Sequence, residues 1–159
     1  MKKKKRLLTY LLLTAFILIT VSGCNREIPD DFNICFQFGD TDASLVTIDT
    51  YNEVITLGAD QQTRLSFQMS DEDRAKIYTR MVHDNIHGYK GEYRGTTAEQ
   101  GTQLRFAIKF TANKRTRTIS GNNTTKYYKK KDTSSLLAFR DYMIEYVKGT
   151  EEYKKLTQE

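Results

Sequence analysis

Phe32-Asn33-Ile34-Cys35-Phe36-Gln37-Phe38 alternates large apolar residues with polar or small ones. A period of two places Phe32, Ile34, Phe36 and Phe38 on one side of an extended strand, with Asn33, Cys35 and Gln37 on the other. The pattern returns in Leu104-Arg105-Phe106-Ala107-Ile108-Lys109-Phe110, a second strand with one oily face. Both strands need a covering layer, and the rest of the chain is read for what supplies it.

Working outward, Gly39-Asp40-Thr41-Asp42 is a turn, and the β-branched run Ser44 to Tyr51 reads as a strand. Asn52-Glu53 turns the chain into Val54 to Leu57, and a fourth short strand runs from Thr63 to Gln68. Ser70-Asp71-Glu72-Asp73 then opens a helix: Ser70 caps, Asp73 closes a capping box, and the acids suit the positive helix end. Ile77, Tyr78, Met81 and Val82 give this helix, about 70–84, an apolar face. Residues 85–102, with Gly88, Gly91, Gly95 and Gly101, read as a long loop holding at most a short extended piece.

After the second oily strand, Ala112 to Lys114 turns the chain toward a strand over Arg115 to Ser120, and Gly121-Asn122-Asn123 turns it again. Thr124 to Tyr128 is a further strand. Asp132 to Ser135 offers caps for a second amphipathic helix, about 134–149, with Leu136, Leu137, Phe139, Met143, Ile144 and Val147 at core spacing and Gly149 as its stop. Glu151 to Glu159 reads as a frayed helical tail. Strands, a helix, more strands and a helix define an α+β fold with a mostly antiparallel sheet over residues 32–159.

The chain begins differently. Met1-Lys2-Lys3-Lys4-Lys5-Arg6 carries five positive charges, and Leu7 to Val21 is apolar apart from Thr9, Tyr10, Thr14 and Thr20. Fifteen helical residues span only about 22 Å, short of a bilayer's roughly 30 Å hydrocarbon core. A basic region, a short apolar region and the small residues Ser22 and Gly23 make residues 1–23 a secretory signal segment. Val21-Ser22-Gly23-Cys24 resembles the lipobox of bacterial lipoproteins. That resemblance implies lipid on the Cys24 thiol, cleavage before Cys24, and anchoring at the extracytoplasmic face of the cell membrane. Two or three acyl chains hold a protein stably where one does not. Residues 24–31 then form a tether; the seven residues from Asn25 to Asp31 reach at most about 25 Å. The remainder is similar in general pattern to small uncharacterised lipoproteins of Gram-positive bacteria. The carrying residues are Phe32 to Phe36, Asp49-Thr50-Tyr51, the Leu65 strand running into Ser70, and Glu151-Glu152-Tyr153-Lys154. That likeness implies no activity.

Charge narrows the function. Five of the 25 basic residues and none of the 20 acids lie in the signal, so the rest of the chain is neutral and does not argue for nucleic acid. The charge is nonetheless divided: residues 24–99 are net acidic and residues 100–159 net basic. Arg105, Lys109, Lys114, Arg115, Arg117, Lys126, Lys129, Lys130 and Lys131 occur with no acid between them. Two charged halves attracting within one fold account for this pattern. A basic face over 105–131 for anionic wall polymers or lipid groups is the sharper alternative.

His83-Asp84-Asn85-Ile86-His87 is the constellation with metal spacing: two histidines four apart share a helix face, with an acid beside the first. The acid is aspartate, shorter than the glutamate base of zinc proteases, and the chain has no third histidine. Neither a metal nor a cofactor is therefore assigned, and a metal-dependent hydrolase using His83, Asp84 and His87 stands as the alternative. No Gly-x-Ser-x-Gly elbow or P-loop is present. Cys35 lies mid-strand, where a thiol is a small hydrophobe more often than a nucleophile. Tyr89, Tyr93, Tyr127 and Tyr128 beside basic residues have the composition of a binding rim. The expectation is a lipid-anchored binding or accessory domain with no catalytic residues, whose partner is the membrane through Cys24 and an envelope protein or anionic polymer.

Overall fold

A computed structural model describes residues 27–61, 63–93, 104–122, 127, 128 and 131–158. Residues 1–26, which include Cys24 and the segment expected as a signal, lie outside the described residues, as do Gln62, residues 94–103 and 123–126, Lys129, Lys130 and Glu159. No helix among the described residues is long and apolar enough to cross a membrane.

The fold is α+β. In chain order the strands are β1 (Asn33–Gly39), β2 (Val46–Asp49), β3 (Val54–Leu57), β4 (Thr63–Ser66), β5 (Gly91–Tyr93), β6 (Arg105–Ala112), β7 (Arg115–Asn122), β8 (Tyr127–Tyr128) and β9 (Lys131–Asp132). The helices are α1 (Asp71–His83), α2 (Ser134–Gly149) and α3 (Glu151–Leu156), with a 3₁₀ turn at Ile86–Gly88. Seven strands form one sheet in the order β4-β3-β2-β1-β6-β7-β5, while β8 and β9 pair separately. Every pairing in the large sheet is antiparallel except β5 on β7.

The two oily strands are neighbours. Ile34 faces Phe110, Phe36 faces Ile108, and Phe38 faces Phe106 across the β1–β6 ladder. On the other side Phe36 faces Ile48, which in turn faces Ile55. One face of the sheet is therefore a continuous apolar surface, and its members are buried. Ile77 and Met81 of α1 and Leu136, Phe139, Met143, Ile144 and Val147 of α2 are buried with it in one core. Arg140 occupies the same stripe of α2; its guanidinium is buried over the Phe106 ring and donates to Asp141.

Local chemistry sets the ends of the elements. Ser70 Oγ accepts from the Asp73 amide at 3.1 Å and donates to the Asp73 carboxylate at 2.8 Å, so the cap holds α1 by two bonds. Asn113 and Lys114 both have positive φ, which gives the β6–β7 hairpin a two-residue turn whose twist matches its strands. The Asp31 carboxylate accepts both turn amides, at 2.8 and 2.6 Å. Asp31, at the end of the segment expected as a tether, is thus fastened to the hairpin tip.

Two sequence expectations are corrected, and two are borne out in sharper form. The strand expected to reach Gln68 ends at Ser66, because Phe67 and Met69 turn inward and are buried. Gly121 is not a turn but a residue of β7 opposite Phe106, where a Cβ would come within 2.8 Å of that ring. The extended piece in the long loop is β5, which joins the sheet in parallel. The tail after Gly149 is a short helix capped by Thr150, whose Oγ1 accepts from the Tyr153 amide, and its Leu156 is buried.

Ile108, fully buried at the centre of the β1–β6 ladder, should cost about 3 kcal/mol when changed to alanine. Thr118, exposed on β7, should cost less than about 0.5 kcal/mol. Denaturant unfolding of the full chain checks both. Equal losses at the two positions would mean the apolar face is not the stabilising layer.

Candidate functional site

α1 lies across the end of the sheet where the tether enters. Tyr78 packs edge-on against Phe32 at 5.1 Å between ring centroids, and Arg74 donates to the Phe32 carbonyl at 3.0 Å. The helix ends at His83, Asn85 adopts a left-handed conformation, and the 3₁₀ turn carries the chain away to β5. β5 pairs only with Ile119 to Gly121 of β7. Neither α1 nor β5 therefore covers the first half of β7, and a cleft of about 380 Å³ opens between the helix end and the β6–β7 hairpin.

Its walls are chemically divided. Val82, Phe110 and Ala112 supply apolar surface, while Tyr78, His87, Arg115 and Arg117 supply polar groups. Arg115 faces Ala112 and Arg117 faces Phe110 in the ladder, so both arginines belong to the helix-covered side of the sheet. The His87 ring stands edge-on to Phe110 at 5.2 Å and to Tyr78 at 6.1 Å. Among the described residues neither Arg115 nor Arg117 has a carboxylate partner, and no acid lines the cleft. Two cations at an opening with no counter-charge make a place for an anion.

The metal-spaced constellation does not assemble in this way. The His83 Nδ1 lies 2.8 Å from Asp84 Oδ1, and Arg80 donates to the other oxygen of the same carboxylate. Asp84 is buried, whereas the His83 side chain is 78% exposed. His87 lies beyond the helix end, in the cleft wall, so the two histidines do not share a helix face. Asp84 instead fastens the last turn of α1. No group of three or more His, Cys, Asp or Glu that could hold a metal ion occurs among the described residues.

The basic run 105–131 divides over both sides of the sheet. Arg105 donates to Asp42 at 2.8 Å, and Lys109 sits 5.1 Å from the Tyr51 ring on the face away from the helices. Only Arg115 and Arg117 reach the cleft, while Lys126, Lys129 and Lys130 lie outside the described residues. The expected aromatic rim is corrected too. Tyr89 and Tyr93 are core residues with rings 5.7 Å apart, and the Tyr89 hydroxyl donates to the Asp132 carbonyl at 3.1 Å. Tyr127 and Tyr128 form β8, but their side chains lie outside the described set. The sequence signal for the cleft was the odd-numbered register Arg115, Arg117, Ile119: two charges on the side that Ile119 marks as inward.

Cys35 projects from β1 on the face away from the helices, beside Asp49 across the ladder. Burial, then the nearby Asp49 charge, pushes its thiol up to about 11, against a weaker opposing pull from Lys109. The thiol is therefore neutral at physiological pH, the opposite of an activated nucleophile. Its contribution to stability is complete below the pKa of an unfolded thiol, near 8.5, and is lost as pH rises through the folded value. Alkylation of Cys35 by iodoacetamide should be slow at pH 8 and accelerate about tenfold per pH unit up to pH 10, following the thiolate fraction. A rate that levels off below pH 9 would contradict that ionisation.

No protein-family model matches the chain, and neither a curated protein nor a solved structure matches it.

Proposed function

We propose that the chain is the precursor of a bacterial lipoprotein, cleaved before Cys24 and lipidated on that residue. Residues 32–159 then serve as a binding or accessory domain at the outer face of the cell membrane, without catalytic activity of their own. The observation that carries the binding half of this reading is the cleft itself, where Arg115 and Arg117 line an opening without acids. Its position supports the anchored half. Asp31 is only seven residues after Cys24 and is fastened to the tip of the same hairpin that bears the two arginines. A tether of at most about 25 Å therefore keeps the cleft end of the sheet close to the bilayer.

Crosslinking in intact cells tests this reading. The wild-type protein should incorporate labelled palmitate, fractionate with the membrane and capture an envelope component. Cys24→Ser should lose the label, accumulate as precursor and lose the captured component. Palmitate labelling that persists in Cys24→Ser would remove the lipoprotein assignment. Loss of the cellular phenotype in a folded His83→Ala, His87→Ala double variant that still captures its component would favour the enzymatic alternative over a binding role.

A further inference from the structure

We infer that the cleft between the end of α1 and the β6–β7 hairpin is a binding site for a phosphoryl group, held by Arg115 and Arg117 with Tyr78 and His87 in its wall. The inference rests on the binding-domain reading above and gives that domain a ligand class.

Three features carry it. The first is register: residues two apart on a strand share a face about 6.6 Å from each other, so both guanidiniums belong to the same opening. The second is the missing counter-charge. Lys76 on Glu72, Lys154 on Glu151 and Arg105 on Asp42 are exposed cations, each paired with an acid. Arg115 and Arg117 have no such partner among the described residues, although they stand on the side of the sheet otherwise given to the core. The third is the rest of the wall, where Tyr78 and His87 stand beside the apolar Val82, Phe110 and Ala112.

These features discriminate among anions. A phosphate monoester carries about −1.5 to −2 charges at pH 7 and matches two guanidiniums, whereas a carboxylate leaves one of them uncompensated. The planar fork of arginine presents paired N–H donors to phosphoryl oxygens, and two forks side by side can engage more than one oxygen each. The apolar wall suits the carbon skeleton of an ester better than it suits the free ion. The shared chemistry is the phosphate monoester, whose source is either a soluble ester or the monoester headgroup of a lipid in the membrane beneath.

The test uses the full chain in neutral-detergent micelles. It is titrated calorimetrically with inorganic phosphate and with phenyl phosphate, and separately followed by phosphorus NMR with phosphatidic acid, whose headgroup is a phosphate monoester, added to the micelles. Wild type should bind, with phenyl phosphate tighter than phosphate if the ester is soluble. A phosphorus shift with phosphatidic acid, without calorimetric binding of either soluble probe, identifies the headgroup as the source. In both cases Arg117→Gln should weaken binding about tenfold, the loss of one charge-assisted contact, and Arg64→Gln on β4 should leave it unchanged. Unaltered circular dichroism and melting temperature establish that the Arg117→Gln variant is folded. The inference fails if no probe binds, or if an Arg115→Gln, Arg117→Gln double variant binds like wild type. Capture of the same envelope component by that double variant in cells would then leave the binding-domain reading standing without the phosphoryl site.

Discussion

Everything in this domain is arranged around the side-by-side burial of Ile34, Phe36 and Phe38 against Phe110, Ile108 and Phe106. β1 is the first strand of the domain but lies in the middle of the sheet, between β2, which follows at once, and β6, which arrives after α1 and a long excursion. The hairpin-connected half, β1 to β4, needs only local turns. The other half must bring β6 back to the free edge of β1, and apolar complementarity across the ladder is what rewards that distant pairing. Closing a long loop adds only slowly to its entropic cost, so a few large buried side chains are enough to offset it.

Once β6 is placed, the site follows from what is left uncovered. The β6–β7 turn falls at the end of the sheet where the chain enters, and Asp31 fastens it there through two amides. α1 crosses the same end, but its last turn is closed by Arg80 and His83 on Asp84, and the chain leaves toward β5 before reaching the start of β7. The first half of β7 therefore has no helix over its inward side. Arginines occupy that gap, where their stems can lie along Phe110 and Ala112 while the charged heads stay in the opening.

Much of the fold could be read from short-range pattern. Period-two alternation located β1 and β6, and the cap at Ser70 and the stop at Gly149 located both long helices. What escaped were features fixed by non-local packing. Gly-Glu-Tyr at 91–93 has no period of its own and becomes β5 only because β7 offers an edge. Gly121 reads as a turn residue until Phe106 is known to lie against it. Tyr89 and Tyr93 look like rim residues because their neighbours are charged, yet the return of the chain to the sheet buries them. The His83–His87 spacing assumed one continuous helix, and Asn85 breaks it. Arg115 and Arg117 were visible only as part of a basic run; their shared side with Ile119 required the strand register.

The proposed orientation of the domain on a membrane is the central claim, and distance from the bilayer tests it most directly. One fluorophore at Lys114→Cys, in the hairpin turn, is compared with one at Asp60→Cys, in the turn at the far end of the sheet, in lipidated protein on vesicles carrying an acceptor on their headgroups. An eight-residue strand such as β6 spans about 26 Å, comparable with the tether itself. The clamp between Asp31 and the turn predicts much stronger energy transfer from position 114 than from position 60. Equal transfer, or stronger transfer from position 60, would mean that the domain does not hold its arginine cleft toward the membrane.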